Sequence, residues 1–282
     1  MGDTFQQTVL HWGLPQLRDL PWRRSRDPWQ ILVSEVMLQQ TQVERVIPKW
    51  FAFLDAFPAP TQCAAAPLGD VLRLWQGLGY PRRAQNLQRA AQAVVDLGRF
   101  PDNLEGLLAL AGVGAYTARA VMAFAFEYDA AVVDTNIARV LARLAGQALS
   151  AREVQRRADQ ILPVGESWEW NQCLLDLGAV ICCSRAPQCG ACPAAQWCSW
   201  RGQGPDPAVG SAGVSGRQSR FEGSDRQGRG RLIKRLGVGA IRTAEIAAVM
   251  GWPAEIERAE RIAASLVAEG LVKSGEGWLR LP

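Results

Sequence analysis

Apolar residues recur at helical spacing along most of the chain, and the breaks between the runs carry its punctuation. Residues 31–50, ILVSEVMLQQTQVERVIPKW, read as helix, with Glu35 set among Leu32, Val33, Val36 and Met37. A carboxylate in that company either faces solvent on the opposite side of the helix or is buried with its protonated form favoured. Further on, Asp102 and Glu105 open a short apolar segment, Gly112 and Gly114 follow it, and a small-residue run comes next, which predicts helix, tight hairpin, helix. Glycine permits the sharp turn, and the turn leaves backbone N–H groups and a helix N-terminus free to meet a phosphate. The same G-V-G also fits a plain glycine C-cap. Asp134 ends a β-branched run and opens the pattern Ile137, Val140, Leu141, so it reads first as an N-cap. Beside a bound DNA backbone, the same carboxylate could stabilise an oxocarbenium ion on a deoxyribose.

Composition bounds the class. At 282 residues and 48% hydrophobic, the chain can bury a sizeable core and hold two or three domains. No basic, apolar leader is visible, and Arg119 interrupts the longest apolar stretch, so the expectation is a cytoplasmic protein without a membrane span. The formal charge of +4 is unevenly spread: residues 1–200 carry 18 basic and 18 acidic side chains, residues 201–282 carry 13 and 9. A neutral first region that binds DNA must use local patches. Arg18, Arg23, Arg24 and Arg26 form one candidate and Arg82 with Arg83 another, each equally compatible with solvated surface.

Cys182, Cys189, Cys192 and Cys198 follow C-x6-C-x2-C-x5-C, with Cys183 adjacent and Cys63 and Cys173 isolated. Disulfides do not fit a cytosolic chain of this size. Spacing alone leaves zinc and an iron–sulfur cluster evenly matched. Residues 201–229, rich in Gly, Ser, Pro, Gln and Arg, read as a flexible linker. Residues 230–282 then predict helices at 232–236, 243–250 and 254–269 and a hairpin at 271–281, a winged-helix order. Its third helix would carry Glu255, Glu257, Glu260 and Glu269, which repel phosphate, so a structural or partner-binding module fits as well as a groove reader.

Five stretches together resemble a known family: LPWR (20–23), VSEVMLQQT (33–41), GLGYPRRAQN (77–86), GVGAYTA (112–118) and VDTN (133–136). In order and spacing they are similar to the adenine DNA glycosylase (MutY) family of the helix-hairpin-helix glycosylase superfamily, over about residues 8–200. The resemblance implies an all-α, two-domain helical fold. A barrel-like domain would span about residues 25–130, both chain ends of the region 1–200 would form the other with a 4Fe-4S loop at 182–198, and the active site would lie in the cleft. It implies Glu35 as general acid, Asp134 as the partner of the sugar cation, Tyr116 and Asn136 as their supports, and Leu20, Trp22 and Arg23 lining the base pocket. Gln40 would wedge into the duplex, with Arg18, Gln39, Tyr80, Gly112 and Gly114 as further DNA contacts. Cys182, Cys189, Cys192 and Cys198 would hold a 4Fe-4S cluster. The partner would be double-stranded DNA bearing adenine opposite 8-oxoguanine or guanine, met by a monomer.

Two departures stand out: Ala111 occupies a usual proline position, and Pro81 the place of a second tyrosine. Endonuclease III-like relatives place a Schiff-base lysine where Tyr116 stands, and the only lysines are Lys49, Lys234 and Lys273, so base removal without strand cleavage is expected. The alternatives are a thymine or uracil glycosylase acting at G mispairs, and a non-catalytic, cluster-bearing DNA-binding protein. LQQTQ after Glu35 favours adenine, and retention of Glu35, Asp134 and Asn136 together favours catalysis. The small tail replaces the longer β-rich domain with which the family inspects 8-oxoguanine, so the opposite base is left open.

Overall fold

A computed structural model of the chain describes residues 4–214 and 220–282. Its helices are α1 (Phe5–Gly13), α2 (Pro28–Leu38), α3 (Val43–Ala56), α4 (Pro60–Ala65), α5 (Leu68–Leu74), α6 (Arg82–Leu97), α7 (Leu104–Leu108), α8 (Ala115–Phe124), α9 (Thr135–Ala145), α10 (Ala151–Ile161), α11 (Ser167–Asp176), α12 (Asp225–Leu236), α13 (Ile246–Met250) and α14 (Ile256–Ala268). Three short strands, β1 (Ile241–Arg242), β2 (Lys273–Gly275) and β3 (Trp278–Arg280), lie near its end. Among the described residues no helix is long and apolar enough to cross a membrane.

Two units emerge from the packing. Of the described residues, 4–31, 102–108 and 113–214 form the first, and 32–101, 109–112 and 220–282 the second. The barrel-like domain expected over 25–130 is therefore shorter. Its last part belongs with the chain ends because α8, rich in small buried residues such as Ala118, Ala120 and Ala123, packs on α11 and α7 packs on α8.

In the first unit α1 lies on α11 so closely that a Cβ at Gly13 would stand 2.5 Å from the Cys173 sulfur. Val9, Ile137, Leu141, Trp170, Leu174 and Leu177 fill the core beneath. The composition of residues 201–229 predicts a loose linker, yet residues 206–213 are held to this unit. Asp206 takes the Arg143 guanidinium, Ala208 is buried, and the Ser211 hydroxyl accepts from Leu149 N–H at 3.0 Å. Residues 225–229 are already helix, started by the Ser224 cap, so the helix expected at 232–236 begins seven residues earlier.

In the second unit α4 and α5 pack on α6, and α12, α13 and α14 pack on one another. The strands form an antiparallel sheet in the order β1-β3-β2, with Ile241 and Ser274 both opposite Leu279. Helix, strand, helix, helix, hairpin is the winged-helix order the sequence predicts, with β1 added as a third strand because Ile241 and Leu279 share its buried face.

The single helix expected over residues 31–50 is two. α2 ends at Leu38, Gln40 takes a left-handed φ of 56°, and α3 starts at Val43. Arg83 explains the break. Its guanidinium donates to the carbonyls of Val36 (2.7 Å), Met37 (3.0 Å) and Gln39 (2.6 Å), the orphan acceptors at the end of α2. From its other side it donates to Thr41 Oγ1, Leu78 O and Gly79 O at 2.8–3.1 Å. The Arg82/Arg83 patch is thereby corrected: Arg82 is exposed, but Arg83 is turned inward as a staple. Burial, slightly offset by Tyr80, pulls its pKa down to about 10.

Candidate active site

Asp134 sits where the pattern places it, at the N-cap of α9. Its Oδ1 accepts from Ile137 N–H at 2.7 Å, satisfying one orphan donor of the helix, and its Oδ2 accepts from the Asn136 amide at 2.8 Å. The approach to it is fixed from α11: Asn171 Oδ1 accepts from Val132 N–H at 2.9 Å and its amide donates to Ala130 O. Burial pushes the Asp134 carboxyl above the usual carboxylate range, against the hydrogen bonds from Ile137 and Asn136 and the charge of Arg139. A partly buried carboxylate whose charged form is disfavoured in this way gains by meeting a positive charge.

Behind Asp134 runs a connected polar chain. Arg139 donates to Asn136 Oδ1 (2.8 Å) and Gly178 O (2.6 Å) through Nη2 and to Cys182 O (2.8 Å) through Nε. With Oδ1 accepting from Arg139, which can only donate, the Asn136 amide has one orientation, Nδ2 toward Asp134. Gly178 is required for the fit, since a Cβ there would lie 2.6 Å from the Asn136 Cβ. Tyr116, the other expected support, lies in the first turn of α8, partly buried.

The hairpin that precedes α8 is present, with one amendment. Gly112 has φ +76°, and a Cβ on it would meet Asn86 Cβ at 2.8 Å, so it must be glycine on both counts. Gly114 is the N-cap of α8 in extended backbone with open space around its Cα. It needs no special conformation, and its lack of a side chain leaves the α8 N-terminus uncovered. The first helix of the hairpin is capped by Asn103, whose Oδ1 accepts from Gly106 N–H at 2.9 Å, in place of the expected Asp102 or Glu105.

Glu35 belongs to the second unit. Of its two expected placements it takes the buried one, 4% exposed in the middle of α2 between Ser34 and Val36. Five residues later Gln40 is exposed at the left-handed turn; Gln39 is partly buried beside it, and Tyr80, with φ 48°, is exposed on the neighbouring loop. Thr41 Oγ1 donates to Leu78 O and Arg83 bridges both loops, so the two turns are one fixed structure.

The expected arginine patch at residues 18–26 is corrected. Each of its cations meets a carboxylate: Arg18 and Arg23 both bind Asp176, Arg24 binds Asp19 and Arg26 binds Glu127. Arg23 makes a bidentate contact of 2.8 Å on each arm with Asp176, both side chains being buried. Burial alone would push the Asp176 carboxyl up, but Arg23 and then Arg18 overturn it and hold it below the usual range. Leu20 and Trp22, just before Arg23 in the chain, are buried as well, so Arg23 fixes the segment and spends its charge in doing so. Sequence reasoning missed Asp176; the signal was a lone acid inside the apolar run LLDLGAV.

The four cysteines line one small cavity in the first unit, closed by Arg143, Ile181, Pro187, Ala195, Trp200 and Arg201. Cys183 turns away and donates to Ala179 O. Arg143 donates to Cys182 Sγ at 3.3 Å, lies over the Trp200 ring and is clasped by Asp206, and Arg201 N–H donates to Cys198 Sγ at 3.4 Å. Burial pushes the Cys192 thiol up to about 11 and Cys182 in the same direction, the latter opposed by Arg143. Among the described residues no three His, Cys, Asp or Glu side chains converge on a single-ion position. Four soft donors around a shared hollow, with cationic and backbone N–H donors aimed at sulfur, fit a thiolate-bound group.

Comparison with known proteins agrees with this arrangement. The profile of the HhH-GPD superfamily of base excision DNA repair proteins matches residues 33–163. An adenine DNA glycosylase of Mycobacterium tuberculosis is 41% identical over 97% of this chain and 92% of its own length, and that of Homo sapiens 37% identical over 70% and 39%. Among solved structures, a thermostable thymine-DNA glycosylase superposes with a TM-score of 0.67 at 32% identity, covering 70% of this chain and 95% of the other. A trapped covalent endonuclease III–DNA intermediate gives 0.62 at 26% identity, covering 71% and 98%. The length and identity of the first match decide between these neighbours: the chain belongs to the adenine DNA glycosylase family of the HhH-GPD base excision repair superfamily.

Proposed function

We propose that this adenine DNA glycosylase removes adenine paired with 8-oxoguanine or guanine, by hydrolysis and without strand cleavage. The observation that carries the reading is the posture of Asp134: a partly buried carboxylate held by Ile137 N–H and Asn136 at the N-cap of the helix that follows the hairpin. Glu35 donates a proton to the purine ring, which converts a poor leaving group into a good one. As the glycosidic bond lengthens, positive charge grows on the sugar and Asp134 meets it. Water then attacks the cation. Asn136 keeps the Asp134 carboxylate aimed, and Tyr116 supports the pair from α8. Leu20 and Trp22 receive the extruded adenine, while Gln40, with Gln39 and Tyr80 at its sides, fills the space the base leaves in the duplex. Gly112 and Gly114 leave the hairpin amides open to a phosphate.

Cys182, Cys189, Cys192 and Cys198 would hold a 4Fe-4S cluster, which supplies a rigid anchor for residues 182–198 and no group to the excision chemistry. Their shared cavity, with Arg143 and the Arg201 N–H donating to sulfur, supports a thiolate-bound group there, and the family resemblance favours the cluster over zinc. The function is tested on duplexes pairing each normal base with G, C, T and 8-oxoguanine, followed by hot alkali or by borohydride. Adenine release opposite G or 8-oxoguanine, with breaks only after alkali, is expected. Thymine release opposite G would move the enzyme to the other specificity, and efficient borohydride trapping would place an amine near the sugar.

A further inference from the structure

The sheet of the C-terminal module takes no part in the chemistry above, and its two faces differ. Ile241 and Leu279 are buried on one face, while the other presents Arg242 from β1, Trp278 and Arg280 from β3 and Lys273 from β2, all exposed. The strand register fixes this grouping. Arg242 lies opposite Trp278 and Lys273 opposite Arg280, and residues opposite one another in antiparallel strands share a face. Like charges placed directly opposite destabilise a sheet, and no carboxylate relieves the Lys273–Arg280 pair. Among the described residues, none of the three cations is paired with an acid or donates a side-chain hydrogen bond. The module's acids are placed elsewhere: Asp225 and Glu255 hold Arg258, Glu269 holds Arg229, and Glu245 accepts from the Arg242 backbone N–H at 2.7 Å. Glu257 and Glu260 are exposed on α14, and Glu276 stands at the hairpin tip with φ 51°.

Trp278 adds a second observation. Its side chain is left open, with the Arg242 guanidinium 5.3 Å from the ring centroid on the β1 side and only Gly275 opposite it on β2. The face is also held in place. Pro282 O, two residues beyond Arg280, accepts from Gly69 N–H at 3.1 Å, so close that a Cβ on Gly69 would lie 2.8 Å from that oxygen, and Arg73 Nε donates to Gly237 O at 3.1 Å. The sheet is thereby fixed to α5. We infer that this face binds the sugar-phosphate backbone of duplex DNA without regard to sequence, Arg242, Lys273 and Arg280 each meeting a phosphate and Trp278 lying against a deoxyribose. Charge complementarity selects the partner: three unpaired cations face a polyanion, whereas the neutral region 1–200 has committed Arg18, Arg23, Arg24 and Arg26 to carboxylates. A single strand fits less well, because it is held by stacking on successive aromatics and this face has one. The exposed acids of α14 repel the same duplex, so the contact comes from the sheet and not from a third helix in a groove.

This contact rests on the chain acting on duplex DNA, and its test reads binding alone. Affinity of the full-length protein for a matched duplex, and for a single strand of the same sequence, is measured between about 50 and 300 mM KCl, the range over which phosphate contacts declare themselves. The proteins are wild type, Arg242→Gln, Lys273→Gln, Arg280→Gln, the triple glutamine variant, Arg280→Lys and Trp278→Ala. Each single glutamine should flatten the duplex slope of log K against log salt by about 0.9 and the triple variant by about 2.7, while Arg280→Lys keeps the wild-type slope. Thermal unfolding should show no loss of Tm in Lys273→Gln or Arg280→Gln, since either removes the like-charge pair. An unchanged slope in the triple variant overturns the inference, as does weaker binding at the wild-type slope with a lowered Tm, which would make the cations structural. Flattening confined to the single strand overturns the duplex contact. Trp278→Ala should weaken duplex binding at the wild-type slope, and equal affinity would strike the ring from the contact. Absence of adenine release by the wild type would count against the excision reading and leave the comparison of slopes untouched.

Discussion

Replacing Asp176 by Asn tests whether the arginines at residues 18–23 are anchors or DNA contacts. The carboxylate side chain is 4% exposed and holds Arg23, itself 6% exposed, by two 2.8 Å bonds, besides Arg18. Removing one partner of a buried pair costs about 3–5 kcal/mol, because the other charge is left buried and unmet. Asn keeps one acceptor oxygen, and Arg18 can turn to water, so the lower end, about 3 kcal/mol, applies. For a chain of this size that lowers Tm by about 6–12 °C. The pH dependence has a definite sign. Asp176 has its folded pKa depressed, so its stabilisation is complete above the unfolded value near ~3.9 and is lost as pH falls through the lower folded value. The Tm gap between wild type and Asp176→Asn, followed by circular dichroism from pH 7 down to about pH 3, should be wide at neutrality and close in acid. A gap under about 2 °C at pH 7, or one that does not narrow in acid, would refute the assignment. Arg23 would then be available to the base pocket after all.

Two further outcomes follow from the same kind of accounting. Arg83→Lys offers three donors on a point charge to six acceptors spread over two loops, and urea unfolding should show a loss of about 2 kcal/mol; a change below about 0.5 kcal/mol would mean that the carbonyls of Val36, Met37 and Gln39 do not need the fork. Since Asp134 must be ionised to meet the sugar cation and its pKa is raised, single-turnover excision should fall on the acid side at a pH above the ordinary carboxylate range; Asn136→Ala, which removes a hydrogen bond to the charged form, should move that limb further up, and a downward or absent movement would detach Asn136 from Asp134 in solution.

Local features were legible in the sequence. Asp134 as an N-cap follows from a β-branched run that stops at an acid and resumes with helical spacing, and the structure has that cap to within a hydrogen bond. Gly112 follows from the conformation a hairpin demands, and φ +76° there admits little else. Cysteine spacing likewise foretold four sulfurs in one loop, and they line one cavity. In each case the cause and the effect lie within a few residues of one another. Gly114 shows the limit even here, because two glycines two residues apart look alike in sequence, while one is needed for its torsion and the other for its open space.

Arginine is where sequence reasoning loses its hold, for a physical reason. A guanidinium on a neutral region is equally at home on a phosphate, a carboxylate or the end of a helix, and the partner that decides can lie far along the chain. Arg23 found Asp176 at a separation of 153 residues; Arg143 found Asp206 at 63; Arg83 found the carbonyls of Val36, Met37 and Gln39 at 44–47. None of these pairs has a periodicity to betray it. All three bury most of their charge, which is costly unless most donors are matched, and only Nε of Arg83 is left buried without an acceptor, so their geometry is narrowly specified once folded and invisible before. In sequence, clusters of arginine near DNA motifs fit phosphate contact and solvated surface equally well, whereas here Arg83, Arg23 and Arg143 hold the elements that carry Gln40, the Leu20–Trp22 segment and the cysteine loop. Arg139 extends the logic to the proposed reaction. It joins Cys182 O to Asn136 and so to Asp134, which means the carboxylate proposed to meet the sugar cation is aimed from the cysteine loop, 48 residues away, through two side chains, Arg139 and Asn136.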